Sequence, residues 1–86
     1  MPDQLRKVPR RVVGVKQVLR ALNDDALEQV FLAMDAAPAL RRQVEDRAME
    51  KQVRLTMVVS MEELGQMCGV DVPSAAAGLK RARENA

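Results

Sequence analysis

The 86-residue chain has no histidine, tryptophan, tyrosine or isoleucine; Phe31 is its only aromatic residue and Cys68 its only cysteine. Each absence removes a class of chemistry. Without histidine the commonest general base, the Ser-His-Asp arrangement and nearly all zinc sites are gone. A lone cysteine closes no internal disulfide, which fits a reducing compartment. Cys68 falls on the apolar stripe of its segment, the place of a buried structural thiol rather than a nucleophile. The four glycines, at 14, 65, 69 and 78, form neither a phosphate-cradling loop nor a dinucleotide fingerprint. With Phe31 inside an apolar run, no aromatic platform is left for stacking splayed bases, so any recognition of nucleic acid must rest on phosphates, groove edges and shape. No apolar run reaches 18 residues, and the first 25 residues hold no uninterrupted stretch of signal-peptide length. The expectation is a soluble cytoplasmic protein. Nothing nominates an enzyme, a bound metal or a cofactor.

What remains is a small chain with segregated charge. At 86 residues one domain is expected, with a core packed from Val, Leu, Ala and Met. Net charge is only +2, yet residues 4–23 carry Arg6, Lys7, Arg10, Arg11, Lys16 and Arg20 with no acid, while residues 24–86 sum to −3. Such a distribution makes a local field that steers a polyanion. The bland alternative is a solvated basic face.

Along the chain, residues 1–9 read as an arm and 80–86 as a polar tail. Arg11-Val12-Val13 is a short strand ending at Gly14. Val15, Val18, Leu19 and Leu22 then give the i, i+3, i+4, i+7 stripe of a half-buried helix, closed by the turn cluster Asn23-Asp24-Asp25. Lys16, Gln17 and Arg20 fall mostly off that stripe, on one outward face near the helix start. Cations and an amide at a helix amino end suit an anionic ligand with base edges. Glu28 to Met34 is an unalternating apolar run, expected as a strand buried on both faces. Pro38 suits a first helical position, with Leu40, Val44 and Ala48 inward and Arg41, Arg42, Glu45, Asp46 and Glu50 facing water. Arg54 to Val59 reads as a second interior strand. Ser60-Met61-Glu62-Glu63 fits a capping box, with Ser60 as N-cap. That helix buries Met61, Leu64 and Cys68 and stops at Gly69. Val70-Asp71-Val72-Pro73 reads as a loop with two exposed valines. For Ser74 to Leu79, three alanines favour helix, whereas Gly78 argues for strand, and the residues do not decide. Strands alternating with helices at this spacing imply a mixed or parallel sheet covered on both faces.

Four stretches, in order, carry a resemblance: Val-Val-Gly-Val-Lys-Gln-Val-Leu-Arg-Ala-Leu at 12–22, Val-Phe-Leu-Ala-Met-Asp-Ala-Ala-Pro at 30–38, Met-Val-Val-Ser-Met-Glu-Glu-Leu-Gly at 57–65, and Cys-Gly-Val-Asp-Val-Pro-Ser-Ala-Ala-Ala at 68–77. Together they resemble the ribosomal protein L7Ae family, most closely its small bacterial kink-turn-binding members, over roughly residues 10–80. The resemblance implies an α/β fold, a three-layer α-β-α sandwich with a four-stranded mixed sheet, in which 74–79 is a strand. It also implies binding to kink-turns, RNA internal loops whose tandem sheared G·A pairs bend the helix and open its major groove. The family motif Gly-Thr-Lys-Gln-x-x-Lys falls on Gly14, Val15, Lys16, Gln17 and Arg20. By that resemblance Gly14 admits RNA backbone, Lys16 and Gln17 reach the G·A edges, and Arg20 holds phosphate or a base edge. Val70, Asp71 and Val72 fall on a loop that covers an extruded nucleotide, and Asp35 lies near the RNA. This chain departs from the pattern in three places. Val15 stands for the usual Thr, Arg20 for Lys, and Asp35-Ala36-Ala37-Pro38 lacks the motif's second acid.

The implied partner is therefore structured RNA, ribosomal or riboswitch, bound by a monomer. Two other classes stay open at this point. One is helix-turn-helix binding to DNA, which needs residues 27–34 to be helical. The other is a protein-interaction or adaptor module of the same fold.

Overall fold

A computed structural model describes residues 11–81; the expected arm and the tail beyond Arg81 lie outside them. Four strands, β1 (Arg11–Val13), β2 (Leu27–Ala33), β3 (Arg54–Val58) and β4 (Ala76–Lys80), form one sheet of order β1-β4-β2-β3. β2 and β3 are parallel, and β4 runs antiparallel to both β1 and β2. Three helices connect them: α1 (Val15–Asn23), α2 (Pro38–Glu50) and α3 (Met61–Cys68).

Side-chain alternation divides the core into two layers. Leu27, Val30, Leu32 and Ala76 pack against Val18, Leu22, Val44 and Ala48 of α1 and α2. Phe31, Ala33, Ala77 and Leu79 pack against Leu64, Met67 and Cys68 of α3. The result is the expected three-layer α-β-α sandwich around a mixed sheet. Each fully buried Leu or Val contributes on the order of 1.5–3 kcal/mol, and the seven largest such side chains span both layers. Gly78 lies where β4 pairs closely with β2; a Cβ there would come within 2.8 Å of Leu27 Cδ1, so that side chain would have to shift.

Several expectations change. Residues 27–33 are a strand, which overturns the helix-turn-helix alternative. Of Ser74 to Leu79, the residues from Ala76 on are strand (Ala76–Lys80), as the resemblance implied, while Ser74 and Ala75 belong to the loop that enters it. β3 is an edge strand, not an interior one, because β4 takes the place between β1 and β2 and leaves β3 paired with β2 alone. Its flank is correspondingly open, with Met57 and Val59 exposed. Leu40 does not point inward; it is exposed on α2. Arg41 does not face water freely: the residue is half-buried, and its Nε is buried with no hydrogen-bond partner among the described residues. Met61 is half-buried, packed at the margin of the α3-side core. Lys80 is not tail but the last residue of β4, and beyond it the Arg81 amide donates to Ala26 O at 2.8 Å.

Candidate functional site

The strand order fixes where a site can form. β1, β2 and β3 point the same way, and each feeds a helix. The amino ends of α1, α2 and α3 therefore gather at one end of the sheet, beyond the carboxyl ends of three strands, where α/β sheets commonly take ligands. The loop that enters β4 arrives at the same end.

The three helix ends differ electrically. At α3, the Ser60 hydroxyl accepts from Glu63 N at 3.1 Å and Asp35 Oδ1 accepts from Met61 N at 2.8 Å. Glu62 and Glu63 add acid to its first turn, so this end is already satisfied. At α2, the N-cap Ala37 likewise offers no side-chain cap and the first turn holds no acid, but Pro38 at its start has no N–H to offer. At α1, the N-cap is Gly14, no side chain caps the helix, and the first turn holds no acid. The amides of Val15, Lys16 and Gln17 have no intrahelical acceptor there. α1 therefore leaves three amides free against two at α2, and with α3 already capped it is the end most open to an anion.

Gly14 makes that end possible. Its φ of 104° and ψ of 147° suit glycine, and no atom lies within 4 Å of where a Cβ would stand. Its own N–H is turned inward, donating to Ala76 O at 2.8 Å. Lys16, Gln17 and Arg20 are all exposed, as expected, while Val18 between them is fully buried. Gln17 and Arg20 line one shallow groove of about 130 Å³ along the flank of α1, with Asp24 and Lys80 at its far end. Lys16 is outside that lining, nearer the helix start. The structure therefore spreads the three side chains along the helix rather than clustering them at its tip.

The loop at 70–73 supplies a different surface. Val72 is 63% exposed, but Val70 is half-buried against the α3-side core, so only one of the two valines is open to solvent. With Asp71, Pro73, Glu62 and Gln66 they line a groove of about 360 Å³. The loop lies against α3 at Gly65, where a Cβ would overlap the Val72 carbonyl oxygen and stand 3.3 Å from Pro73 Cα. Gly65 is a site-shaping residue that the sequence does not reveal, since its importance depends on a contact made by folding. Asp35 also lies at this end, but one of its carboxylate oxygens is engaged by Met61 N.

The arrangement joins a cationic helix flank, three open amides and an apolar loop tip beside carboxylates. That combination suits a ligand with both phosphates and an exposed base. Among the described residues no group of carboxylates, Cys or His could hold a metal, and no helix is long and apolar enough to cross a membrane.

Comparison with known proteins agrees with this architecture. Residues 2–86 match the ribosomal protein L7Ae/L30e/S12e/Gadd45 family. The chain is 39% identical over 69 residues to an RNA-binding protein of Caldanaerobacter subterraneus subsp. tengcongensis, covering 80% of this chain and 84% of that one. It is 41% identical over 70 residues to an RNA-binding protein of Halalkalibacterium halodurans, covering 81% and 85%. Among solved structures it superposes on the Giardia lamblia 15.5kD RNA binding protein with a TM-score of 0.84 at 23% identity, over 93% of this chain and 68% of that one. At that identity the superposition speaks to the fold alone.

Proposed function

Because the chain belongs to the ribosomal protein L7Ae/L30e/S12e/Gadd45 family, we propose that it binds structured RNA, and that its target is a kink-turn held in its bent form. The observation that carries this reading is the uncapped, acid-free amino end of α1 beside exposed Lys16, Gln17 and Arg20. Relatives named as RNA-binding proteins support it.

In this reading each residue has a distinct part. Gly14, without a side chain, lets RNA backbone approach the α1 amides. Lys16 and Gln17 meet the edges of the sheared G·A pairs, which only the bent helix exposes. An uncharged amide among cations suits base-edge hydrogen bonds. Arg20 lies further along the flank and meets phosphate. Val72 packs on the extruded nucleotide while half-buried Val70 supports it from below. Asp71, a carboxylate, accepts from base N–H donors rather than approaching phosphate. Asp35 acts through α3, whose end it caps. The protein then binds the kinked conformer better than the extended one and shifts the population toward it.

With about three to five phosphates neutralised, log affinity falls against log salt with a slope of roughly −2 to −4. A gel-shift series tests the reading on a kink-turn and on a copy whose G·A pairs are replaced by Watson–Crick pairs. Arg20→Ala, at the phosphate contact, is expected to weaken binding and flatten the salt slope by about one. Gln17→Ala is expected to leave the slope and erode the preference for the kink-turn. Equal affinity of the wild-type protein for both RNAs overturns the kink-turn reading.

A further inference from the structure

Ser74 is the one buried polar side chain among the described residues, 5% exposed, in a stretch otherwise made of alanines. Its hydroxyl donates to Ala76 O at 2.8 Å, the same oxygen that accepts from Gly14 N. Its backbone amide donates to Met61 O at 3.0 Å, and Met61 N in turn donates to Asp35 Oδ1 at 2.8 Å. One chain of hydrogen bonds therefore runs from the β2–α2 turn, through the first residue of α3 and the loop entering β4, to the start of α1.

The Ser74 hydroxyl is not required to satisfy Ala76 O, which Gly14 N already does. What it adds is a local bond, two residues along, that fixes how the end of the 70–73 loop enters β4 at the very carbonyl to which the start of α1 is tied. We infer that Ser74 is a positioning residue for RNA binding: its buried hydroxyl holds the Val72 loop at a fixed place relative to the amino end of α1, so that the two halves of the interface are preformed. The inference rests on the RNA reading above. Preformation matters because a loop ordered only on binding takes its ordering cost out of the affinity.

The test measures equilibrium binding of a kink-turn RNA by wild type, Ser74→Ala, Val72→Ala and the double variant. Thermal midpoints are recorded in the same buffer. Ser74→Ala is expected to weaken binding by roughly 5- to 30-fold in the wild-type background and by less than about 2-fold in the Val72→Ala background, where the loop contact is already lost. The salt slope is expected to stay unchanged, because no phosphate contact is removed. A purely structural role would lower the thermal midpoint and give the same affinity loss in both backgrounds. Binding like wild type, or equal losses in both backgrounds, overturns the inference while the RNA reading stands. A wild-type protein that binds neither the kink-turn nor its Watson–Crick copy overturns both. Discrimination between those two RNAs belongs to the kink-turn reading and is scored separately.

Discussion

Gly14 and Ser74 donate to one acceptor: the backbone N–H of the first and the hydroxyl of the second both end on Ala76 O, each at 2.8 Å. The start of α1 and the end of the 70–73 loop are therefore joined at a single carbonyl, 60 positions apart in sequence. A change at any of these residues reaches both surfaces that the proposed interface uses.

Gly14→Ala is expected to destabilise the protein by about 1–3 kcal/mol. The cost is one of backbone strain, since the open space at its Cβ rules out a clash while φ of 104° disfavours an L side chain. For a domain of this size each kcal/mol lowers the midpoint by roughly 4–8 °C, which a thermal melt resolves.

Gly65→Ala sets two effects against each other. Alanine gains about 1 kcal/mol of helix propensity over glycine inside α3. The new Cβ, however, overlaps the Val72 carbonyl and presses on Pro73, and overpacking of this kind costs roughly 1–3 kcal/mol. The clash involves backbone rather than a flexible tip, so net destabilisation is expected. Displacement of the loop is expected as well, read as shifted backbone resonances at 70–73. A variant more stable than wild type would show that the loop yields freely.

Two residues share the amino end of α3, so their removal should not add. Ser60→Ala deletes the acceptor for Glu63 N and is expected to cost about 1 kcal/mol. Asp35→Ala deletes the acceptor for Met61 N, with a loss of similar size. Because both act on one helix end, the double variant is expected to depart from the sum of the singles in a denaturant-unfolding cycle.

Cys68 gives a pH dependence. Burial pushes its thiol pKa up, with Arg11 offsetting part of the shift. The folded protein therefore keeps this proton to higher pH than the unfolded chain does. The contribution to stability is fully present below the ordinary thiol range and is lost as pH rises through that range toward the folded value. Comparing urea midpoints of wild type and Cys68→Ala across neutral and alkaline pH isolates it. The difference should be flat near neutrality and change only on the alkaline side.

Much of this fold is written locally. Gly14 followed by Val15, Val18, Leu19 and Leu22 marks a strand-to-helix junction, and the Ser60 cap and Gly69 stop frame α3 as expected. β2 is legible as an apolar run because it lies between two neighbours and needs apolar side chains on both faces. The same logic fails at β3. Leu-Thr-Met-Val-Val reads as interior, but which strand becomes an edge is decided by β4 returning between β1 and β2, a pairing no local pattern encodes. β4 itself was legible only through the resemblance, since alanine propensity points the wrong way. The candidate site divides similarly. Lys16, Gln17 and Arg20 follow from helical spacing and are exposed as that spacing requires. Val70 against Val72, the half-buried Arg41, and the parts played by Gly65 and Ser74 depend on which distant segment each one meets, so residue type alone could not rank them.

The central position of β4 also bears on how the molecule is made. During synthesis β1, α1, β2 and β3 all leave the ribosome before residues 76–80 do, yet β1 reaches the sheet only through β4. Until that segment emerges, β1 has no partner and the acceptor for Gly14 N does not exist. The first strand must wait for the last, so closure is set by long-range pairing and is slow for a chain so short. A nascent chain halted before Ala76 should accordingly show no cooperative unfolding, and the open end of α1 should take shape only in the final moments of folding.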